Sequence, residues 1–161
     1  MKKAIVIGSP GAGKSTFARK LRDMTGMPLY HLDTIWHLPD RTTISREQFD
    51  EKHSDILEKD CWIIDGNYSR TLEIRLKHCD TVFLLDYPVD VCLSGVSERI
   101  GKEREEMPWI EQEFDKEFRQ YIVDFPHKRM PWIKELLGQY SEGKDIHVFH
   151  SREEADDYFK I

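Results

Sequence analysis

The chain has few of the devices that staple small or unusual proteins together. Cysteine occurs three times in 161 residues, at Cys61, Cys79 and Cys92. The number is odd and no Cys-x-x-Cys pair occurs, which excludes a disulfide framework and a zinc knuckle. The three thiols read as small buried hydrophobes in a reducing compartment. Long apolar runs are also missing. None approaches the roughly 20 residues of a membrane-spanning helix. The apolar run near the start, residues 4–7, is shorter than the roughly seven residues of a secretory leader. These absences set the expectation of a cytoplasmic protein with no membrane partner. Positive charge is in deficit: 24 Lys and Arg against 30 Asp and Glu give a net charge of -6. Coating of nucleic acid needs the opposite balance, so a nucleic-acid partner is not expected. A small anion remains possible, because it needs only a local cationic site.

What is present is the profile of a soluble globular domain, with 39% hydrophobic, 34% charged and 11% aromatic residues. At this length a chain buries roughly two thirds of its unfolded surface, and one domain over residues 1–161 is expected. Apolar β-rich runs at residues 4–7, 28–32, 61–64, 81–85 and 146–149 alternate with helical stretches. The runs are continuous rather than alternating, as in parallel strands buried on both faces. Helices are expected over 14–25, 45–59, 89–100, 131–140 and 152–159. A further helix is expected after Pro108, where Ile110, Phe114, Phe118, Tyr121 and Phe125 recur at spacings of four, four, three and four. Strand–helix alternation predicts an α/β three-layer sandwich with right-handed crossovers.

The most specific local pattern is Gly8-Ser9-Pro10-Gly11-Ala12-Gly13-Lys14-Ser15, a complete G-x-x-x-x-G-K-[ST] between a strand and a helix. The chemistry needs each part. Gly8, Pro10, Gly11, Ala12 and Gly13 shape a loop whose backbone N–H groups turn inward toward phosphate oxygens. The following helix N-terminus adds a favourable dipole. Lys14 brings a mobile positive charge to β- and γ-phosphates. The Ser15 hydroxyl is suited to Mg²⁺, and Thr16 extends the polar cradle. Two strand-end aspartates compete for the water shell of that ion, Asp65 and Asp86. Asp65 is favoured, while Asp86 also reads as a turn cap before Pro88.

A third strand-end carboxylate, Asp33, suits either a turn or a hydrogen bond to an acceptor hydroxyl. Trp36 is placed to stack on an acceptor or to pack in the core. His31 and His37 read as packing or surface groups. Of Arg70 and Arg75, at least one is expected to contact the acceptor.

These residues carry a family resemblance along nearly the whole chain. The P-loop, His31-Leu32-Asp33-x-x-Trp36, Asp65-Gly66-Asn67-Tyr68, the segment around Arg75-Leu76 with Leu85-Asp86, and Arg99-Ile100-Gly101-Lys102-Glu103-Arg104 together resemble the small P-loop kinases related to adenylate, shikimate and gluconate kinases. The nearest resemblance is to the adenylate-kinase-related bacterial branch called DNA topology modulation proteins. The resemblance implies a P-loop NTPase sandwich with a five-stranded parallel sheet of order 2-3-1-4-5. It implies ATP with Mg²⁺, a small-molecule acceptor, an acceptor-binding helical segment at 34–60 and a short lid at 99–108. Asp33 would meet the acceptor hydroxyl. Arg99 would touch the adenine ring and phosphates, and Arg104 would reach the transferring phosphoryl group. Asp65-Gly66 and Asn67 would stand where adenylate kinases carry Asp-Gly-Phe-Pro-Arg. Phe-Pro is absent here and Arg70 falls one position later than that pattern. The expected activity is ATP-dependent phosphoryl transfer. The second reading is a nucleotide-dependent regulator acting on DNA or a protein partner.

Overall fold

The three central strands are buried on both faces, as their unbroken apolar sequences require. The computed structural model describes residues 1–160. It contains β1 (Lys3–Gly8), α1 (Lys14–Thr25), β2 (Leu29–His31), α2 (Leu32–Trp36), α3 (Arg46–Leu57), β3 (Trp62–Asp65) and α4 (Ser69–His78). The second half adds β4 (Thr81–Leu85), α5 (Val89–Arg99), α6 (Lys116–Lys128), α7 (Met130–Gln139), β5 (Asp145–Phe149) and α8 (Arg152–Asp157). All pairings are parallel, and the order is β2-β3-β1-β4-β5. This is the P-loop NTPase α/β sandwich, with the expected sheet order. No helix among the described residues is long and apolar enough to cross a membrane.

Alternation along β1 divides the core in two. Ile5 and Ile7 face Phe49, Leu72, Leu76, Phe125 and Ile133 of α3, α4, α6 and α7. Ala4 and Val6 face Phe17, Leu21, Val96 and Ala155 of α1, α5 and α8. Local chemistry sets the helix ends. Gly26 closes α1 in the left-handed conformation at φ 74°. Ser45 and Gln48 form a reciprocal capping box at the start of α3.

Three expectations change. The strand expected over 28–32 stops at His31, and Leu32 and Asp33 enter α2. A fully buried leucine reads alike in a strand and in a first helical turn, and an aspartate suits the helix N-terminus. The helix expected after Pro108 begins only at Lys116, where Asp115 accepts from the Phe118 N–H. Upstream, Trp109 is clamped between the His37 ring, 5.2 Å away, and the Arg41 guanidinium at 5.9 Å. The Gly101 N–H donates to the Glu111 carbonyl at 2.7 Å. These contacts hold residues 100–115 against α2 and the loop that follows it instead of in a helix. Helix α4 was not expected, because its inner face includes Thr71 and Arg75 beside Leu72 and Leu76.

Arg75 is fully buried. Its guanidinium donates to the Thr71 hydroxyl at 2.7 Å and to the Gly66 and Asn67 carbonyls. The buried His53 Nε2 lies 3.3 Å from Arg75 Nη1, and its ring stacks on Phe49. Burial and then the Arg75 charge depress the His53 pKa to about 4. Below about pH 6.5 the unfolded chain therefore takes up a proton that the folded chain refuses until about pH 4. Stability is thus lost as pH falls through that window, on the order of 3 kcal/mol from this residue. Denaturant unfolding at pH 7 and pH 4.5 checks it: His53→Gln should lose much of the acid sensitivity of the parent, and equal slopes would refute the assignment.

Candidate active site

The loop between β1 and α1 is shaped by close backbone approaches. At Gly8 a Cβ would stand 2.2 Å from the Leu85 carbonyl oxygen, and φ is 138°. At Gly11 a Cβ would stand 2.4 Å from the Cys92 carbonyl oxygen, with φ at 80°. Only glycine fits either position. Helix α1 opens at Lys14, so its first N–H groups have no partner inside the helix and face the loop's concavity. The cradle lines a cavity of about 620 Å³, together with Asp33, Asp65, Tyr68, Arg99 and Arg104.

Lys14 Nζ donates to the Gly8 and Ser9 carbonyls at 3.3 and 3.1 Å. Burial lowers its pKa, while the charges of Asp65 and Asp33 work the other way and Arg99 adds to the lowering. A lysine so placed is poorly solvated and short of anionic partners. The Ser15 hydroxyl donates to Asp65 Oδ2 at 2.9 Å, which joins two hard oxygen donors at the mouth of the cradle. That pair fits Mg²⁺ held largely by phosphate oxygens and water. Among the described residues there is no cluster of three or more His, Cys, Asp or Glu able to hold a metal alone. Asp86 points elsewhere and pairs with Lys134 at 2.7 Å.

His31 was expected as a packing or surface group. It is buried, with Nδ1 2.7 Å from Asp65 Oδ2 and Nε2 2.8 Å from Glu105 Oε2. Burial opposes its protonation, but the hydrogen bonds and negative charges of these acids outweigh it and raise the pKa. Glu105 also meets Arg22 at 3.1 Å. The imidazole thus ties the Asp65 carboxylate to the 100–115 segment.

Asp33 faces the same cavity and accepts from Tyr68 Oη at 2.6 Å. Tyr68 has φ 38°, a left-handed conformation unusual for a tyrosine. It stacks on Phe49 at 5.4 Å. Burial and the Asp33 charge raise its pKa, so the phenol remains a donor. The preceding Asn67 spends its amide on the cradle: its Oδ1 accepts from the Gly8 N–H at 3.0 Å, and its Nδ2 donates to the Gly8 carbonyl at 2.7 Å. The turn Gly66-Asn67-Tyr68 therefore holds the P-loop with one side chain and Asp33 with the next.

Several expected residues lie elsewhere. The Gly8 N–H is occupied by Asn67, so Gly8 supplies conformation and not a phosphate donor. Trp36 packs edge-on against Phe49 at 5.8 Å and does not line the cavity. Arg70 is turned outward in a two-pronged pair with Asp50 at 3.0 and 2.7 Å. Arg75 lies under the 66–68 turn, where its Nη2 donates to the Gly66 and Asn67 carbonyls and its Nη1 to the Thr71 hydroxyl. Asp65, Gly66 and Asn67 line the cavity, with Asp65 hydrogen-bonded to Ser15 and the Asn67 amide engaged by Gly8.

Arg99 and Arg104 both line the cavity. Arg99 lies over the Phe118 ring at 5.5 Å. Burial, and then the neighbouring Arg104 charge, lower its pKa against the pull of Glu111 and Asp33. Arg104 does not pair with solvent-exposed acids. It meets the buried Glu106 at 3.1 Å, and the other Glu106 oxygen meets Arg19 at 3.0 Å. Arg19, Glu106 and Glu111 were not anticipated. Partners 87 residues apart leave no mark in local spacing.

No protein-family model matches the chain. Two adenylate kinases are similar over part of their length. That of Thermotoga petrophila is 32% identical over 87 residues, covering 52% of this chain and 39% of the relative. That of Kosmotoga olearia is 35% identical over 106 residues, covering 62% and 48%. The chain thus spans less than half the length of these relatives. The shikimate kinase of Bacteroides thetaiotaomicron superposes with a TM-score of 0.60 at 17% identity, covering 99% of this chain and 94% of that one. The shikimate kinase of Acinetobacter baumannii in complex with shikimate gives 0.60 at 18%, covering 99% and 90%. These structures share the fold.

Proposed function

We propose that the chain is an ATP-dependent phosphotransferase that moves the γ-phosphoryl group to a small acceptor held over Asp33. The observation that carries this reading is one cavity flanked by two kinds of groups. On one side is a P-loop with Lys14 and Ser15, and on the other a carboxylate, Asp33, oriented by Tyr68. A carboxylate so oriented suits a general base for an acceptor hydroxyl. The partial likeness to adenylate kinases supports the same reaction class.

In this reading the cradle N–H groups and Lys14 bind the β- and γ-phosphates. Ser15 and Asp65 would hold Mg²⁺, which when bound would neutralise phosphate charge. Asp33 accepts the acceptor's hydroxyl hydrogen and aims its oxygen at the γ-phosphorus. As that O–P bond forms, the bond to the β–γ bridging oxygen breaks and ADP leaves. Asp33, or solvent beyond it, takes the proton. Arg99 and Arg104 stand where negative charge spreads over the equatorial oxygens, and residues 99–108 act as the lid that carries them. The segment 34–60 forms the acceptor side.

A thermal-shift screen tests the reading. With a nonhydrolysable ATP analogue and Mg²⁺ present, an acceptor that binds the folded state should raise the melting temperature. The panel comprises nucleosides, nucleoside monophosphates, sugars and polyol acids, shikimate included. At 100 times its Kd the shift corresponds to about 2.7 kcal/mol. If the analogue itself produced no shift, the nucleotide assignment would fall.

A further inference from the structure

The cleft's cations are interleaved with acids in an unbroken series. Arg99 Nε lies 3.5 Å from one oxygen of Glu111, and Arg104 Nη2 lies 3.1 Å from the other. Arg104 Nη1 then meets Glu106, and Glu106 meets Arg19. Three guanidinium groups thus share two carboxylates beside the P-loop.

The two acids are held differently. Glu106 is 5% exposed at its side chain, and each of its oxygens has a hydrogen-bonded arginine. Its backbone carbonyl also accepts from the Thr34 hydroxyl at 2.9 Å. It is a fixed anchor. Glu111 is 27% exposed, and its ion pairs lack good hydrogen-bond geometry. Arg99 Nε and Arg104 Nη2 are both buried and have no aligned hydrogen-bond acceptor despite the nearby carboxylate. Glu111 neutralises these arginines without satisfying their donors. Guanidinium N–H groups are best met by in-plane, two-pronged oxygens, and a phosphate offers three. Glu111 also lines a second cavity of about 550 Å³ that includes Arg41, so a displaced carboxylate has both space and a cation to turn toward.

We infer that Glu111 is an internal stand-in for a ligand phosphate: it occupies Arg99 and Arg104 until a phosphate displaces it, and so sets the affinity of the cleft for its nucleotide. This rests on the phosphotransferase reading of the same cavity. With Glu111 withdrawn, the three arginines face one carboxylate, which suits an incoming polyanion. Binding then includes the cost of expelling Glu111, so only a ligand carrying phosphate gains from its removal.

Calorimetric titration of MgATP and of adenosine into the full chain tests this. Glu111→Gln should bind MgATP about two- to fivefold more tightly than the parent, the scale of one partly exposed ion pair. Adenosine affinity should stay unchanged. Glu113→Gln removes the same charge from an exposed neighbour, and its MgATP affinity should change less than twofold. Glu111→Asp, which keeps the charge but retracts it, should fall between parent and Gln and serves if the Gln variant folds poorly. Equal or weaker MgATP binding by Glu111→Gln would overturn the inference, as would a gain matched by Glu113→Gln or by adenosine. Failure of the parent itself to bind MgATP would instead overturn the reading of the cavity.

Discussion

Lys14→Ala is expected to cut phosphoryl transfer by at least about 10²–10³-fold while leaving the melting temperature unchanged or slightly higher. The first half follows from charge. In the proposed reaction Lys14 is the P-loop ammonium that meets the β- and γ-phosphates, and deleting one preorganised donor to a developing anion typically costs that much. The second half follows from its surroundings. Among the described residues the ammonium's hydrogen-bond partners are two loop carbonyls, and burial is the largest influence on its pKa, lowering it. Folding therefore holds this cation at a cost that the alanine variant no longer bears. Turnover by coupled ADP detection and a parallel melting curve read the two effects separately. A variant that turned over normally would refute the cradle assignment, and one that unfolded would refute the claim that Lys14 serves ligand and not fold.

The second large effect is on stability. Arg75→Met should destabilise the chain by about 3 kcal/mol, because a thioether cannot donate to the carbonyls it leaves behind. The counter-argument is that burying a guanidinium is itself expensive, and apolar replacement of buried charges is sometimes neutral. Here the Gly66 and Asn67 carbonyls decide the matter, since the turn that carries them cannot rotate away without releasing Asn67 from Gly8 and Tyr68 from Asp33. For a chain of this size the melting temperature should fall by roughly 10 °C. Lysine should not restore it, having a single point charge in place of a fork. An unchanged melting temperature would mean that the turn stands without Arg75.

The contrast between these residues shows what local sequence carries. The P-loop is legible because eight consecutive residues and their flanking strand and helix define it. The sheet is legible because apolar runs such as Val82-Phe83-Leu84-Leu85 have few other uses. Arg75 misleads, because an arginine in a polar stretch looks like an anion binder while burial turns it into a carbonyl clamp. Arg70 misleads in the opposite way, facing outward to Asp50. His31 reads as a spectator until the fold brings Asp65 and Glu105 to its two nitrogens. Tyr68 becomes informative only with its left-handed backbone and its reach to Asp33. The aromatic spacing after Pro108 predicts a helix from Ile110 onward, yet Trp109 and Glu111 are drawn into contacts with His37, Arg41 and Gly101. For His31 and Tyr68 the deciding partners lie 34 to 74 residues away, where periodicity has no reach.

The deficit of positive charge noted at the outset now has a location. The cations that matter, Lys14, Arg19, Arg99 and Arg104, are gathered on one cavity, and two of the chain's acids are spent holding three of them.

A phosphotransferase cavity hands its phosphoryl group to an acceptor and does not merely release it to water. The direct measurement follows the label of γ-³²P ATP with Mg²⁺ in the presence of the acceptor panel. Label is expected to move to an organic acceptor, at a rate that depends on that acceptor and is lost in Lys14→Ala. Label appearing only as inorganic phosphate, at the same rate with every acceptor and with none, would contradict it.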